Sequence, residues 1–398
     1  MKHTGKKILL LLLLLALLAE VAYVAFFMPG GIDSIVAVFA PAEPTAAPTE
    51  APTEEPTQVT KAPTEAPTEA PTQAPTEPPT EPQPESFLLT FAGDCTLGST
   101  SSKWNASSGF VQTVGENYEY PFANLAEYFG SDDFTMINLE GPLTEGGSAT
   151  QKLFAFRGPV AYTQIMTSSS VEAVTLANNH SMDYGADGYN STLMALDNAG
   201  ISYVEENKTK LHTTESGLVI GLYADAFSLS NSEIQSGIAE LKDAGAEVII
   251  CAFHWGKEGS YRPTAAVQDF AHVAIDAGAD IVYGHHPHVL QKIEEYNDGI
   301  IYYSLGNCSF GGSANPRDYD SAIVRQEIIR EPDGTVHLGQ LERIPISVSS
   351  VSGQNNYQPT PLEEGSDAYN RVLSKLDGSF TGPDLHVDYS GMSGSSAG

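Results

Sequence analysis

The residues able to do chemistry in this chain recur in one kind of place. Asp94, Glu140, Asn179-His180, His254, His286-Pro287-His288 and Asn307 each lie just past an apolar run with the composition of a buried strand. The densest stretch is Gly284-His285-His286-Pro287-His288, which holds three of the ten histidines. On an extended backbone His286 and His288 project to one side, and His285 is expected to point away from them. Pro287 removes a donor, so the segment is not an ordinary central strand. Asp94, Glu140, Asn179, His254, His286 and His288 make a mixed oxygen and nitrogen set. Such a set suits a transition metal ion, or a pair sharing a bridging carboxylate. Two ions about 3.5–4 Å apart clamp a substrate oxygen and supply a nucleophile at neutral pH. His180, next to Asn179, is the candidate general acid toward a leaving group. Each residue alone has a plainer explanation: Asp94 after Gly93 as a turn residue, Asn179 as a helix cap, the histidines as a surface loop. Their joint placement at strand ends is what points to a site.

The elements that must position them can be read from periodicity. Strands are expected at 87–92, 134–139, 171–177, 201–204, 218–223, 247–253, 279–283 and 300–305. Helices are expected at 121–128, 160–167, 186–199, 234–244 and 267–277, the 186–199 and 267–277 segments closed by Gly200 and Gly278. This alternation predicts βαβ units and a mixed or parallel sheet, and open α/β sheets place their sites past the C-terminal strand ends. Segments 322–329 and 336–346 read as later antiparallel strands, and 367–376 as a closing helix.

The rest of the chain bounds the setting. Of 398 residues, the first quarter is compositionally separate. Lys2, Lys6 and Lys7 precede an apolar run from Ile8 to Met28 broken only by Glu20, the pattern of an export signal long enough to span a bilayer. A signal anchor over 1–28 is the preferred reading and a cleaved signal peptide its rival. No cysteine follows the run, which argues against a lipid anchor. From about Pro41 to Glu85 the chain repeats Ala-Pro-Thr-Glu with variations and cannot form a core. The 29–85 stretch therefore reads as a disordered linker, its repeats reaching up to about 140 Å at ~3.1 Å per residue. Residues 86–381 form the expected folded domain, and the Gly/Ser-rich 382–398 a disordered tail. The formal charge of −31 argues against nucleic acid as a partner. Cys95, Cys251 and Cys308 are too few for a disulfide framework; small buried side chains at strand ends are the preferred reading, and a metal role the alternative.

Phe91-Ala-Gly-Asp94, Asn138-Leu-Glu140, Ala177-Asn-Asn-His180, His254-Trp-Gly256, Gly284-His-His-Pro-His288 and Ser304-Leu-Gly-Asn307 follow one another in the order of the CapA family, which the chain resembles over about 86–350. These are the poly-γ-glutamate capsule synthesis proteins, related to calcineurin-like metallophosphoesterases. The resemblance implies an α/β fold, a four-layer αββα sandwich of the metallophosphoesterase type. It implies that Asp94 and His288 hold one metal and that Asn179, His254 and His286 hold the other, with Glu140 as the bridging carboxylate and His180 as the catalytic histidine. The ions implied are one or two divalent transition metals, Mn, Zn or Fe. Glu140 replaces the more usual Asp, and one departure matters more: where the phosphoesterases have Asp-x-His, this chain has Asp94-Cys95-Thr96, so the first metal lacks the imidazole expected at position 96. Arg157, Glu258 and Arg262 are further candidates for lining the site or holding an anion.

The implied setting is a bacterial surface. The chain would be held at the cell membrane by its N-terminal helix, with the domain extracellular. Poly-γ-glutamate and a membrane synthase complex are the implied partners. Two functions remain open at this point: a metal-dependent hydrolase acting on a phosphoester or a γ-glutamyl polymer, and a non-catalytic capsule assembly factor with a degenerate metal site.

Overall fold

The computed structural model describes residues 82–387. The expected anchor over 1–28, nearly all of the linker, and residues 388–398 lie outside them. Among the described residues no helix is long and apolar enough to cross a membrane.

The strands in chain order are β1 (Glu85–Thr96), β2 (Ser99–Thr100), β3 (Phe134–Leu139), β4 (Phe156–Arg157), β5 (Ala173–Thr175), β6 (Ser202–Val204), β7 (Lys208–Thr213) and β8 (Val219–Ala226). They continue with β9 (Val248–His254), β10 (Ile281–His285), β11 (Ile293–Tyr296), β12 (Gly299–Tyr302), β13 (Asn307–Phe310), β14 (Asp320–Arg330), β15 (Val336–Ser347) and β16 (Thr360–Pro361). One sheet runs β16-β15-β14-β1-β3-β5-β6, with β13 also pairing β1; the other runs β11-β12-β10-β9-β8-β7. The centre of each is parallel, as the alternation with helices requires: β1, β3, β5 and β6 in the first, β8, β9, β10 and β12 in the second. β14, β15 and β16 extend the first sheet antiparallel, while β7 and β11 close the second as antiparallel edges.

Side-chain alternation then sorts the residues into layers. Phe87, Leu89, Phe91 and Met136 of the first sheet share one buried core with Leu222, Ile250, Tyr283 and Tyr302 of the second. The outer face of the first sheet, including Ile137, Val174 and Ile323, packs on Phe110, Ile165 and Leu196 from its helices. The outer face of the second, including Ile249, Phe253 and Val282, packs on Ile234 and Ile238 of helix Asn231–Asp243 and on Ala271 and Ile275 of helix Ala265–Ala277. The layers are therefore helix, sheet, sheet, helix. The apolar faces of both sheets are removed from water, which is the main stabilising term for such a fold.

The two sheets are joined at the site by a polar contact. The Tyr283 hydroxyl donates to the Ala92 carbonyl and also lies 3.2 Å from the Met136 carbonyl. Residues 382–387, expected in the tail, lie against the loop after β9 instead: Leu385 N–H donates to the Gly259 carbonyl at 2.9 Å and Arg262 pairs with Asp384 at 2.9 Å.

Candidate metal centre

A bulge in β1 brings Asp94 to the inner face. Phe91 pairs with Met136 and Asp94 with Asn138, so three steps on β1 match two on β3. The extra residue inverts the alternation. Ala92 and Cys95 both face outward, and Asp94 turns toward the opposite sheet. Gly93 sits in the bulge because a Cβ there would collide with the Gly306 carbonyl, while Asp94 N–H donates to that same carbonyl at 2.8 Å. On β3, Met136 faces inward and Ile137 and Leu139 outward, so Asn138 and Glu140 fall on the inner side. On β9, Val248, Ile250 and Ala252 face inward, and His254 follows them at the strand end.

Asp94 is fully buried and held by four donors. Asn138 Nδ2 lies 2.9 Å and His285 Nδ1 2.8 Å from Oδ1; His286 N–H and His288 Nδ1 both lie 3.2 Å from Oδ2. Burial pushes this carboxyl up, but the hydrogen bonds from His285 and His288 outweigh it and hold it well below its usual range. His285 thus differs from the sequence expectation. It lies on the inward face of β10 with Ile281 and Tyr283, so its ring meets Asp94 from the other sheet. The alternation argument fails past it because His286 and His288 leave the extended region, with φ of 94° and 53°. Non-glycine residues held in that region are strained, which is common at functional sites.

His288 is anchored from two sides. Its Nδ1 lies 2.9 Å from Asn307 Oδ1, while Nε2 faces Glu140 Oε1 at 3.6 Å. Burial lowers its pKa, but the Glu140 and Asp94 carboxylates override this and carry it up to about 10. Glu140 is buried with neither carboxylate oxygen hydrogen-bonded; burial raises it to about 7 against the pull of His288. His254 has both ring nitrogens buried without a partner, and burial and then His286 hold it well below its usual value. His286 Nδ1 is likewise unpartnered, and burial and then His288 bring it down to about 3. The His254 and His286 rings lie 4.8 Å apart, with Phe227 against both. Asn179 Oδ1 is a further buried acceptor without a partner.

Buried polar atoms normally find hydrogen bonds. A group of imidazoles, one carboxylate and an amide oxygen with unpartnered atoms among the described residues fits a divalent cation. The donors converge closely enough to hold one. Asp94, Glu140 and His288 each offer an atom within 4.8 Å of the others, and so do Glu258, His286 and His288. Asn138, His285 and Asn307 hydrogen-bond Asp94 and His288 and so fix these ligands, and His285 Nε2 is itself buried without a partner. The cysteines take no part: all three are buried and unpaired as disulfides, and burial with the neighbouring Cys308 thiol holds Cys95 well above its usual value. Thr96 Oγ1, in place of the imidazole implied by the resemblance, is buried without a partner.

His180 stands at the edge. Its Nε2 is 3.9 Å from Glu140 Oε1, and its Nδ1 is 2.6 Å from Asp183 Oδ2. Asp183 also accepts from Lys152 Nζ at 2.7 Å and Phe156 N–H at 2.8 Å, and the Phe156 ring lies 4.7 Å from that of His180. Asp183 is not singled out by the sequence, although it lies only three residues after His180, in the turn before helix Gly185–Ala199. The two arginines proposed as anion holders make other contacts, and Arg157 Nε is buried without a partner. Arg157 is stacked on Trp104 and Tyr184, with its guanidinium carbon 4.4 and 4.9 Å from the ring centres, and Arg262 pairs with Asp384. The cation beside His180 is Lys152.

A helix–sheet–sheet–helix sandwich with a buried oxygen and nitrogen donor cluster at its strand ends is an open α/β protein carrying a candidate metal centre. The chain belongs to the bacterial capsule synthesis protein family PGA_cap, whose sequence pattern matches residues 88–210 and 205–311. It is 28% identical over 323 residues to the capsule biosynthesis protein CapA of Bacillus anthracis, covering 73% of each chain. It is 27% identical over 311 residues to the PGA biosynthesis protein CapA of Bacillus subtilis (strain 168), covering 72% of this chain and 77% of that one. Among solved structures, Haemophilus influenzae NAD nucleotidase aligns at 12% identity and a TM-score of 0.39 over 75% of this chain and 63% of that one, a remote likeness.

Proposed function

We propose that this chain is a metal-dependent hydrolase acting in the synthesis, anchoring or export of a poly-γ-glutamate-like capsule. Its sandwich is of the metallophosphoesterase type, and its substrate is a phosphoester or a γ-glutamyl amide. The observation that carries the reading is the set of unpartnered buried donors, Glu140, Asn179, His254 and His286, beside His180. Family membership and the motif order support the capsule role. The apolar run Ile8–Met28 and the Pro-Thr-Glu linker support a domain held outside the cell membrane, within reach of a polymer and of a synthase complex.

Asp94, Glu140, Asn179, His254, His286 and His288 would hold the ions. When bound, divalent ions supply Lewis acidity toward the substrate oxygen and a nucleophile at neutral pH. His180 supplies the proton. Asp183 takes its Nδ1–H, so Nε2 is the atom that faces the reacting region. Lys152 neutralises Asp183 and keeps positive charge beside an anionic substrate. The Phe156 ring packs on His180 and limits its rotation.

The test is cleavage of aryl phosphate esters and of poly-γ-glutamate by the metal-loaded protein and by His180→Ala. Wild-type cleavage and a loss of about 100-fold or more in kcat with metal content unchanged are expected. Equal cleavage by His180→Ala would overturn the mechanism. Absence of cleavage by wild type, with capsule formation intact in His180→Ala cells, would make the protein an assembly factor, the reading that Thr96 at the usual imidazole position favours.

A further inference from the structure

The chain after β9 reverses twice. Gly256 and Gly259 take φ of 80° and 75°, a region that favours glycine. Trp255 N–H donates to the His285 carbonyl at 3.1 Å and Gly259 N–H to the Pro287 carbonyl at 2.8 Å. Residues 255–259 are thereby laid along the His285–His288 segment, and the turn delivers Glu258 to the two histidines. One ligand atom from each of Glu258, His286 and His288 lies within 4.8 Å of the others. The partner of Glu258 on its other side is Arg317, at 3.6 Å, beyond hydrogen-bonding distance. His286 is nine-tenths buried, and its Nδ1 has no partner among the described residues.

A carboxylate that meets an imidazole with an unpartnered buried nitrogen, and whose arginine neighbour stands beyond hydrogen-bonding distance, is placed as a ligand. We propose that Glu258 is a metal ligand, joining His286 at the second of two ion positions while Asp94, Glu140 and His288 define the first. The inference rests on reading the donor cluster as a metal centre. It gives the site a third carboxylate, whereas position 96 offers no imidazole. The balance of donors shifts toward oxygen, which suits Mn²⁺ better than Zn²⁺. Arg317 competes with the ion for Glu258.

The experiment titrates Mn²⁺ into the detergent-solubilised, metal-stripped full chain, reading bound equivalents by mass spectrometry and free Mn²⁺ by electron paramagnetic resonance. Wild type is expected to bind two ions. Glu258→Gln should bind one with unchanged affinity and lose about 100-fold or more at the other, its metal-free melting temperature unmoved. If Glu258→Gln binds two ions as wild type does, Glu258 is not a ligand, although the cluster is still a metal centre. If wild type binds none, both readings fail together. Arg317→Met provides the check should Glu258→Gln misfold: freeing the carboxylate tightens the weaker ion by about threefold or more if Glu258 binds it, and an unchanged affinity overturns the proposal.

Discussion

His180 depends on a neighbour that contributes nothing to the donor set. Asp183 is fully buried and accepts from His180, Lys152 and the Phe156 backbone, so its position is over-determined. Asp183→Asn keeps the shape but removes the carboxylate charge that faces Nδ1–H, so the ring is a poorer carrier of the second proton that it must donate from Nε2. The expected result is a fall in kcat of about 10-fold or more with KM and metal content little changed, together with a displaced pH profile. Loss of bound metal instead would make Asp183 a structural residue only. At this scale the sequence was informative where a motif carries its own spacing, as in His286-Pro287-His288 and Asn179-His180. It was less so where a role depends on a contact across the fold. The meeting of His285 with Asp94 needs the two sheets face to face, and no spacing along the chain encodes that. Arg157 and Arg262 have the right charge for an anion site, but aromatic rings and Asp384 hold them in place.

Secondary structure was legible wherever one face is apolar. β3, β9 and β10 are wholly buried and β1 is buried apart from its first residues, and each is built around apolar side chains. β7, Lys-Thr-Lys-Leu-His-Thr, is an exposed edge without an apolar face, and β13 is four residues whose pairing with β1 is long-range; neither was expected. The 121–128 helix divides into a 3₁₀ turn at Tyr120–Phe122 and a short helix at Ala126–Phe129. The β1 bulge was also hidden, although it decides which way Asp94 points. Gly93→Ala tests it: the added Cβ meets backbone, which cannot swing aside as a side chain could. The melting temperature should fall with a loss of about 2 kcal/mol or more, and Mn²⁺ affinity should fall with it, whereas normal binding would show that the bulge tolerates a side chain. A second element-level test concerns the start of β3. Glu172 Oε2 accepts Thr135 N–H at 2.7 Å, and burial, reinforced by Asp132, raises its carboxyl from 4.5 to about 7. Because the folded state holds this proton more tightly, its stabilisation is complete below 4.5 and is lost as pH rises through about 7. Glu172→Gln should therefore match wild type near pH 5 and exceed it at pH 8 by about 1 kcal/mol, discounted for partial exposure. Equal melting curves at both pH values would remove Glu172 from the pH response.

At the scale of the whole domain, closure depends on charge as well as on the core. Helix Asp367–Leu376 sends Lys375 into the fold, where its ammonium is nearly buried 2.6 Å from Asp318 and 2.8 Å from Asp320. Arg371 forks onto Asp320 with two contacts of 2.7 Å, and the Tyr261 and Phe380 rings flank the ammonium at 4.6 and 5.2 Å. The Tyr261 hydroxyl donates to Asp318 at 2.8 Å. This network links the start of β14, the closing helix and, through Tyr261, the loop after β9 that carries Glu258. It does so in a chain of net charge −31, where an uncompensated buried carboxylate is especially costly. The closing helix was expected from periodicity, but its charge partners were not, because they lie some fifty residues upstream. Lys375→Met keeps the length and apolar stem of the side chain and leaves two carboxylates facing each other. The expected cost is about 3–5 kcal/mol, read as a lower denaturation midpoint with an unchanged slope. Adding Asp318→Asn should restore at least about 1 kcal/mol through the coupling between the two positions. A single-mutant cost below about 1 kcal/mol would mean that the pair behaves as a surface ion pair, and that the apolar contacts of Val372 and Leu376 hold the closing helix in place on their own.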